Sequence, residues 1–301
     1  MSDRRVGPQV PPSGLTMSGD LLFRWASQAH VVGLGLAILL LLAEGWWPRT
    51  RQRASPGRRW LANLFAYGAT LLVLRWLPQL SLLGAAVLAE RNGWGLLNWL
   101  GAPLAGAVIL GWLAIDLSGY LVHRAEHRFA LLWRIHRLHH SDPDVDVTTT
   151  YRFHPFEVLL RAGVYALVAI GIGLPPVAAV GYLLLSAATS VISHANLRLP
   201  RTFERVIGSV VITPDIHRTH HSIDRADSNS NFSVCLSCWD RLFGTFRSAP
   251  SLGHERIIFG VEGRTLDDAM SITQMLADPF MADGPAVHAT AVPPGTSRNH
   301  S

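Results

Sequence analysis

Nine histidines in this sequence fall at spacings that suit metal binding. His123 and His127 are four residues apart in His123-Arg-Ala-Glu-His127. His136, His139 and His140 repeat the pattern of His217, His220 and His221, a histidine followed three and four residues later by two more. His194 closes an apolar segment between these clusters. On an α-helix, residues three and four apart share a face, so each cluster can aim two or three imidazoles at one centre. Imidazole is a ligand for iron, zinc, copper and nickel. The same face without metal would leave many polar nitrogens seeking partners. A lone histidine is more often a satisfied surface or core residue, and His30, His254, His288 and His300 are read that way. His154, in Arg152-Phe153-His154-Pro155, is read as a donor standing behind a ligand.

Nine candidate ligands exceed what one ion needs, since a structural zinc takes four and a catalytic zinc three plus water. Two ions are implied. Nearly all the donors are neutral nitrogens, which leave the metal charge uncompensated and coordination positions open for dioxygen; a pair of iron ions fits that demand. A dizinc centre would point to hydrolysis instead, and spacing does not separate the two. Metal-bound histidines usually donate their second N–H to a carboxylate or carbonyl. Asp116, Glu126, Asp142 and Asp215 are the nearest acids. Asp116 lies two turns before His123 inside an apolar stretch, where an ionisable residue is expensive and by default a functional candidate.

The elements that must position these residues read as membrane helices. The chain has 301 residues, 49% hydrophobic and 16% charged, with a mean hydropathy of +0.24, too apolar for an ordinary soluble domain of this length. An apolar run over 31–47 is followed by Arg49, Arg51, Arg53, Arg58 and Arg59 in one short loop, which the positive-inside rule places in the cytoplasm. Residues 61–89 suggest a second span or a bent helical pair, interrupted by Arg75 and Pro78. Residues 96–122 form the clearest span, and 157–174 and 177–193 form a helical hairpin hinged at Pro175 and Pro176. The expected fold is all-α: a polytopic bundle of about four to five membrane segments, capped by a helical histidine-rich di-metal site on the cytoplasmic side. Counting crossings brings both histidine-rich stretches to that side.

The net charge of +5 comes from arginines beside the apolar runs, with no basic stripe interleaved with aromatics, so topology explains it and no nucleic-acid partner is inferred. Two cysteines, Cys235 and Cys238, are too few for a disulfide framework or a zinc ribbon, and read as small residues of an apolar segment. No cleavable signal peptide is evident in the polar, proline-bearing start. The chain divides into a mobile terminus (1–19), N-terminal membrane helices (20–95), a catalytic region (96–246) and a partly disordered extension (247–301).

Several strings resemble the fatty acid hydroxylase and sterol desaturase superfamily, among them His123-Arg-Ala-Glu-His127, Leu132-Trp-Arg-Ile-His136-Arg-Leu-His139-His140, Thr150-Tyr-Arg-Phe-His154-Pro-Phe-Glu157, His194-Ala-Asn196, Thr213-Pro-Asp-Ile-His217-Arg-Thr-His220-His221 and Trp239-Asp-Arg-Leu-Phe-Gly-Thr245. The resemblance runs from about Asp116 to Phe246. It implies a membrane anchor under a cytosolic di-iron site that uses dioxygen and two external electrons to hydroxylate or desaturate a lipid, in a bacterial inner membrane. Some relatives place a further histidine four residues after the one matching His194. Here that position is Arg198, so Asn196, acting through a water, is carried with Asp116 as a catalytic candidate. Electrons must come from a ferredoxin, cytochrome or flavin reductase, since the chain has no Gly-rich dinucleotide fingerprint.

Two other classes share part of this pattern. A dizinc membrane hydrolase would need no electron donor. A metal transporter would place its ligands near the bilayer midplane on broken helices, whereas these histidines follow the ends of spans.

Overall fold

The computed structural model describes residues 19–77 and 80–281. The terminus expected to be mobile lies outside the described residues apart from Gly19, and so does the C-terminal extension beyond Met281. The described residues form helices and isolated bridges, with no β-strand among them. The helices that build the molecule are α1 (Gly19–Trp46), α2 (Pro56–Arg75), α3 (Leu82–Asn92), the single turn α4 (Leu96–Trp99), α5 (Leu104–Arg128), α6 (Ala130–His140), α7 (Pro155–Ile172), α8 (Pro176–His194), α9 (Arg201–Ile207) and α10 (Pro214–His220).

Local chemistry sets the boundaries. Helices α2, α7, α8 and α10 each open on a proline, whose fixed φ and missing N–H suit the first helical position. The clearest predicted span begins later than expected: Gly101 turns left-handed (φ 61°) and Pro103 precedes α5, so residues 96–99 form a separate turn. That span also runs on to Arg128, which puts His123 and His127 on its own last turns rather than after it.

Among the described residues, α5, α7 and α8 are long and apolar enough to cross a membrane, and α1 contains a shorter apolar stretch, Val31–Trp46. At 1.5 Å per residue the 25 residues of α5 reach about 37 Å, and the 18 and 19 residues of α7 and α8 reach roughly 27–29 Å, close to the ~30 Å hydrocarbon core. The predicted second span is a broken pair, because α2 ends at Arg75 and the 11-residue α3 covers only about half that thickness.

Small residues let these helices approach closely, as in membrane bundles generally. Ala85 and Ala86 of α3, Ala166 and Ala169 of α7, and Ala178 and Ala179 of α8 lie in one buried cluster with Ile115, Leu174 and Tyr182. Gly181 gives room to Trp112, whose ring would lie 2.6 Å from a Cβ there; the indole then donates to the Ala178 carbonyl at 2.7 Å. Helix α1 packs on α8, α3 on α7, and α5 on α6 and α7. Outward, Ile109, Leu110, Leu121, Leu167 and Leu184 are exposed, which suits contact with lipid tails.

The arginine loop between α1 and α2 is more than a topological marker. Arg49 pairs with Asp215 at 3.1 Å, Arg53 with Asp144 at 3.7 Å, and the fully buried Arg59 with Asp142 and Asp146. The loop therefore closes over the same end of the bundle that carries the histidines. Residues 247–281 belong to that cap too: the Ile223 amide donates to the Ile258 carbonyl, Arg152 donates to Ala269, and Arg137 pairs with Asp278 at 3.0 Å.

Candidate metal centre

One extended residue, Phe129, separates α5 from α6. It folds α6 back so that His136 and His140 meet His123 and His127. His194 reaches the same region from the last residue of α8, and α10 with its C-cap brings His217, His220 and His221. All nine predicted ligands converge. They form two groups, His123, His127, His136, His140 and His220 in one and His139, His194, His217 and His221 in the other, and the ligand atoms within each group lie within 4.8 Å of one another.

The clusters in sequence are not the clusters in space. At 100° per residue, His136 and His140 project about 40° apart, while His139 lies about 100° from His140. Helix α6 therefore gives its i, i+4 pair to the five-histidine group and His139 to the other. Helix α10 does the reverse, sending His217 and His221 to the four-histidine group and His220 across. Both helices stand between two centres.

The nitrogens that face one another are lone pairs. His123 Nδ1 lies 2.8 Å from the Phe232 carbonyl, His136 Nδ1 2.8 Å from Glu157 Oε1, His194 Nδ1 2.8 Å from the Ser190 carbonyl and His220 Nδ1 2.7 Å from the Ser230 carbonyl. Each acceptor requires the proton on Nδ1 and leaves Nε2 bare. Yet His123 Nε2 and His136 Nε2 are 3.2 Å apart, and the buried Nε2 of His220 has no hydrogen-bond partner. Bare lone pairs at that range repel unless a cation lies between them.

The separations also carry information about geometry. The remaining Nε2 contacts are His127–His140 at 3.1 Å, His136–His140 at 3.1 Å, His139–His194 at 3.2 Å, His194–His217 at 3.0 Å and His217–His221 at 3.1 Å. With a metal–imidazole bond of about 2.1 Å, ligands at right angles lie roughly 3.0 Å apart and tetrahedral ones roughly 3.4 Å. Four of the six Nε2 contacts lie nearer the right-angle spacing, and two, His123–His136 and His139–His194 at 3.2 Å, lie midway to the tetrahedral one.

Burial prepares these imidazoles for metal. It pushes His136, His139, His140, His217 and His221 well below the usual histidine value, with neighbouring imidazoles adding to the effect. Burial brings His220 down to about 3, against the opposing Ser230 carbonyl. The rings are neutral at ordinary pH, as metal ligands must be.

Of the predicted supporting acids, Glu126 lies where expected, 3.7 Å from His136 Nδ1. Glu157 is closer and was missed; its only signal was a carboxylate in the first turn after His154-Pro155. Arg161 links the two, pairing with Glu126 and lying 3.1 Å from Glu157. Asp142 is committed to Arg59, Asn63 and Thr149, and Asp215 to Arg49. His154 caps α7, accepting from the Phe156 amide at 3.1 Å, and belongs to neither group.

The two catalytic candidates sit apart from the imidazoles. Asp116 accepts from Tyr182 at 3.0 Å, the Cys235 and Leu236 amides at 3.2 and 3.1 Å, and Trp239 Nε1 at 2.9 Å. It fastens the 235–239 segment to α5 and α8. Asn196 exchanges hydrogen bonds with Thr50 and accepts from Arg218 at 3.2 Å, so it ties the arginine loop to α10. Both cysteines are free, Cys235 buried and Cys238 exposed.

Comparison with known proteins covers the part of the chain that carries these histidines. Residues 108–245 match the sequence model of the family described as fatty acid hydroxylase. The chain is 33% identical over 184 residues to ornithine lipid hydroxylase OlsE of Rhizobium tropici, covering 60% of this chain and 53% of that one. It is 26% identical over 243 residues to alkylglycerol monooxygenase of Danio rerio, covering 79% of this chain and 50% of that one. A very-long-chain aldehyde decarbonylase, GL1-6 of Oryza sativa subsp. indica, is 28% identical over 174 residues, covering 54% and 26%. The chain thus spans about half the length of the first two. No solved structure gives a significant match. The matched region holds all nine converging histidines together with Glu126, Glu157 and Arg161, and it is a fatty acid hydroxylase domain by that match, which fits the fatty acid hydroxylase and sterol desaturase superfamily.

Proposed function

We propose that this protein is an oxidoreductase that holds two iron ions in its paired histidine groups and uses dioxygen to hydroxylate or desaturate a membrane lipid. The observation that carries this reading is the set of buried Nε2 atoms 3.0–3.2 Å apart in two separate groups. Spacing nearer the right angle in four of the six contacts favours iron over a tetrahedral zinc pair. Bound there, two irons would supply dioxygen activation and attack on an unactivated C–H bond. The relatives named for lipid hydroxylation and alkylglycerol oxidation support a long apolar substrate.

The chain's own residues would orient that substrate and limit water. Helix α5 ends in His123 and His127 and α8 ends in His194, so a lipid in the bilayer reaches the centre at the ends of these helices. Phe153 stacks on His139 at 4.6 Å, and Phe232 packs against His123 and His220 at 5.7 Å, giving the centre apolar walls. On the cap side, a cavity of about 80 Å³ is lined by Trp133, Arg137, His140, Arg225 and Arg264. There the His140 ring borders the cavity, a suitable side for an external electron donor of the ferredoxin, cytochrome or flavin reductase kind. The arginine loop supports a cytoplasmic position for the cap, in a bacterial inner membrane.

Metal analysis and Mössbauer spectroscopy on protein grown with iron-57 test the proposal. Two coupled irons per chain are expected, together with an oxidised lipid found in membrane extracts only when the gene is present. Zinc alone after iron-replete growth, with no dioxygen consumed on reduction, would move the assignment to hydrolysis.

A further inference from the structure

Resting on the di-iron reading, we infer that the two metal positions are electronically unequal, and that Glu157, acting through His136, makes the five-histidine group the one that stabilises iron(III).

The surroundings of the two groups differ in charge. In the five-histidine group, His136 donates Nδ1–H to Glu157 Oε1 at 2.8 Å, both side chains being fully buried. Glu126 stands 3.7 Å from the same nitrogen. One guanidinium, Arg161, serves both acids, so two carboxyl groups and a single cation stand behind one ligand. A carboxylate behind a metal-bound imidazole raises its basicity and its donation to the ion. In the four-histidine group, the partners of His194 Nδ1 are neutral, the Ser190 carbonyl at 2.8 Å and the Ser193 hydroxyl at 3.4 Å, and Nδ1 of His217 and of His221 finds no acceptor among the described residues. Asp142 and Asp146 act on His194 only through space, and Arg59 pairs with both. Among the described residues, no carboxylate behind the four-histidine group matches the Glu157–His136 pair.

Greater electron donation favours the higher oxidation state. When the reduced protein gives up one electron, that electron should leave the five-histidine ion. Glu157 does not reach the reacting atoms, so its role is that of a positioning residue, with Arg161 holding both acids in place.

The test uses the full chain, loaded with iron-57, reduced under argon and titrated with ferricyanide, a one-electron oxidant. Two ferrous Mössbauer doublets of equal area are expected, one disappearing with the first equivalent. His220→Asn, which alters the five-histidine group alone, identifies the doublet belonging to it. In Glu157→Gln the amide oxygen still accepts from His136 but carries no charge. Two irons should remain, the first-oxidised doublet should shift, and the two steps should merge or reverse order. An unchanged titration with two irons retained overturns the inference, as does an equal shift of both doublets, which would signal general loosening. If Glu157→Gln does not retain iron, Glu126→Gln removes a charge while keeping the 2.8 Å bond. The same doublet must then move in the same direction, and an unmoved one overturns the inference. A wild-type protein without a coupled iron pair would instead remove the functional reading beneath it.

Discussion

Replacing Arg59 with alanine should unfasten the cap and cost about 3–5 kcal/mol, the usual consequence of removing one partner of a buried ion pair. Arg59 is fully buried and donates to Asp142 Oδ2 at 3.1 Å, to the Asp144 carbonyl at 2.8 Å and to Asp146. Burial raises the Asp146 carboxyl, but the guanidinium beside it outweighs that effect and holds it below the usual value. Without Arg59, Asp142 and Asp146 keep only neutral donors such as Asn63, Thr149 and Trp60. Both acids lie within six residues after His140 in the chain, so metal retention should fall with stability. The assay is thermal unfolding in detergent with metal content measured alongside. Two comparisons isolate the cause. Asp146→Asn alone should destabilise, yet in the Arg59→Ala background it should restore at least ~1 kcal/mol by removing an uncompensated buried charge. Arg58→Ala, which breaks an exposed pair with Asp267, should cost no more than ~1 kcal/mol. A loss below ~1 kcal/mol for Arg59→Ala, or no sign reversal for Asp146→Asn, would refute the clamp.

His220→Ala and His139→Ala each remove a ligand from a different group, so each should lower iron below two per chain and abolish activity; full metal content in either variant would remove that residue from the ligand set. The metal-free protein should be acid-sensitive. Buried histidines with depressed folded values leave the unfolded state holding more protons below pH ~6.5, so stability is complete above that pH and falls as pH drops. His220, brought down to about 3, alone accounts for about 2 kcal/mol between pH 6.5 and 5, and a flat melting temperature from pH 7 to 5 would contradict the burial of the cluster. Asp116→Ala leaves the Cys235 and Leu236 amides and the Trp239 indole without an acceptor, at ~1–3 kcal/mol each. Iron per folded chain should stay unchanged, and a stably folded Asp116→Ala protein that had lost iron would show that Asp116 supports the metals directly.

The sequence by itself determined which side chains meet at the centre and that they are suited to metal ligation. Local spacing is enough for that: i, i+3 and i+4 histidines share a helix face whatever the rest of the chain does, and apolar runs ending in prolines and glycines mark most of the helices. The assignment of each histidine to one of the two groups was not local. His139 and His140 are neighbours in the chain and ligands of different groups, because α6 runs between two centres that only the packing of α5, α8 and α10 creates. Glu157 gained its role the same way, from the angle at which α7 brings its first turn against α6. The arginines after α1 carried a topological signal in sequence, while their pairing with acids some 80–210 residues away depends on how the cap closes. Asp116 shows the converse. Its cost inside an apolar helix was legible, but whether it served a metal or a buried backbone segment depended on which neighbours tertiary packing placed within hydrogen-bonding reach.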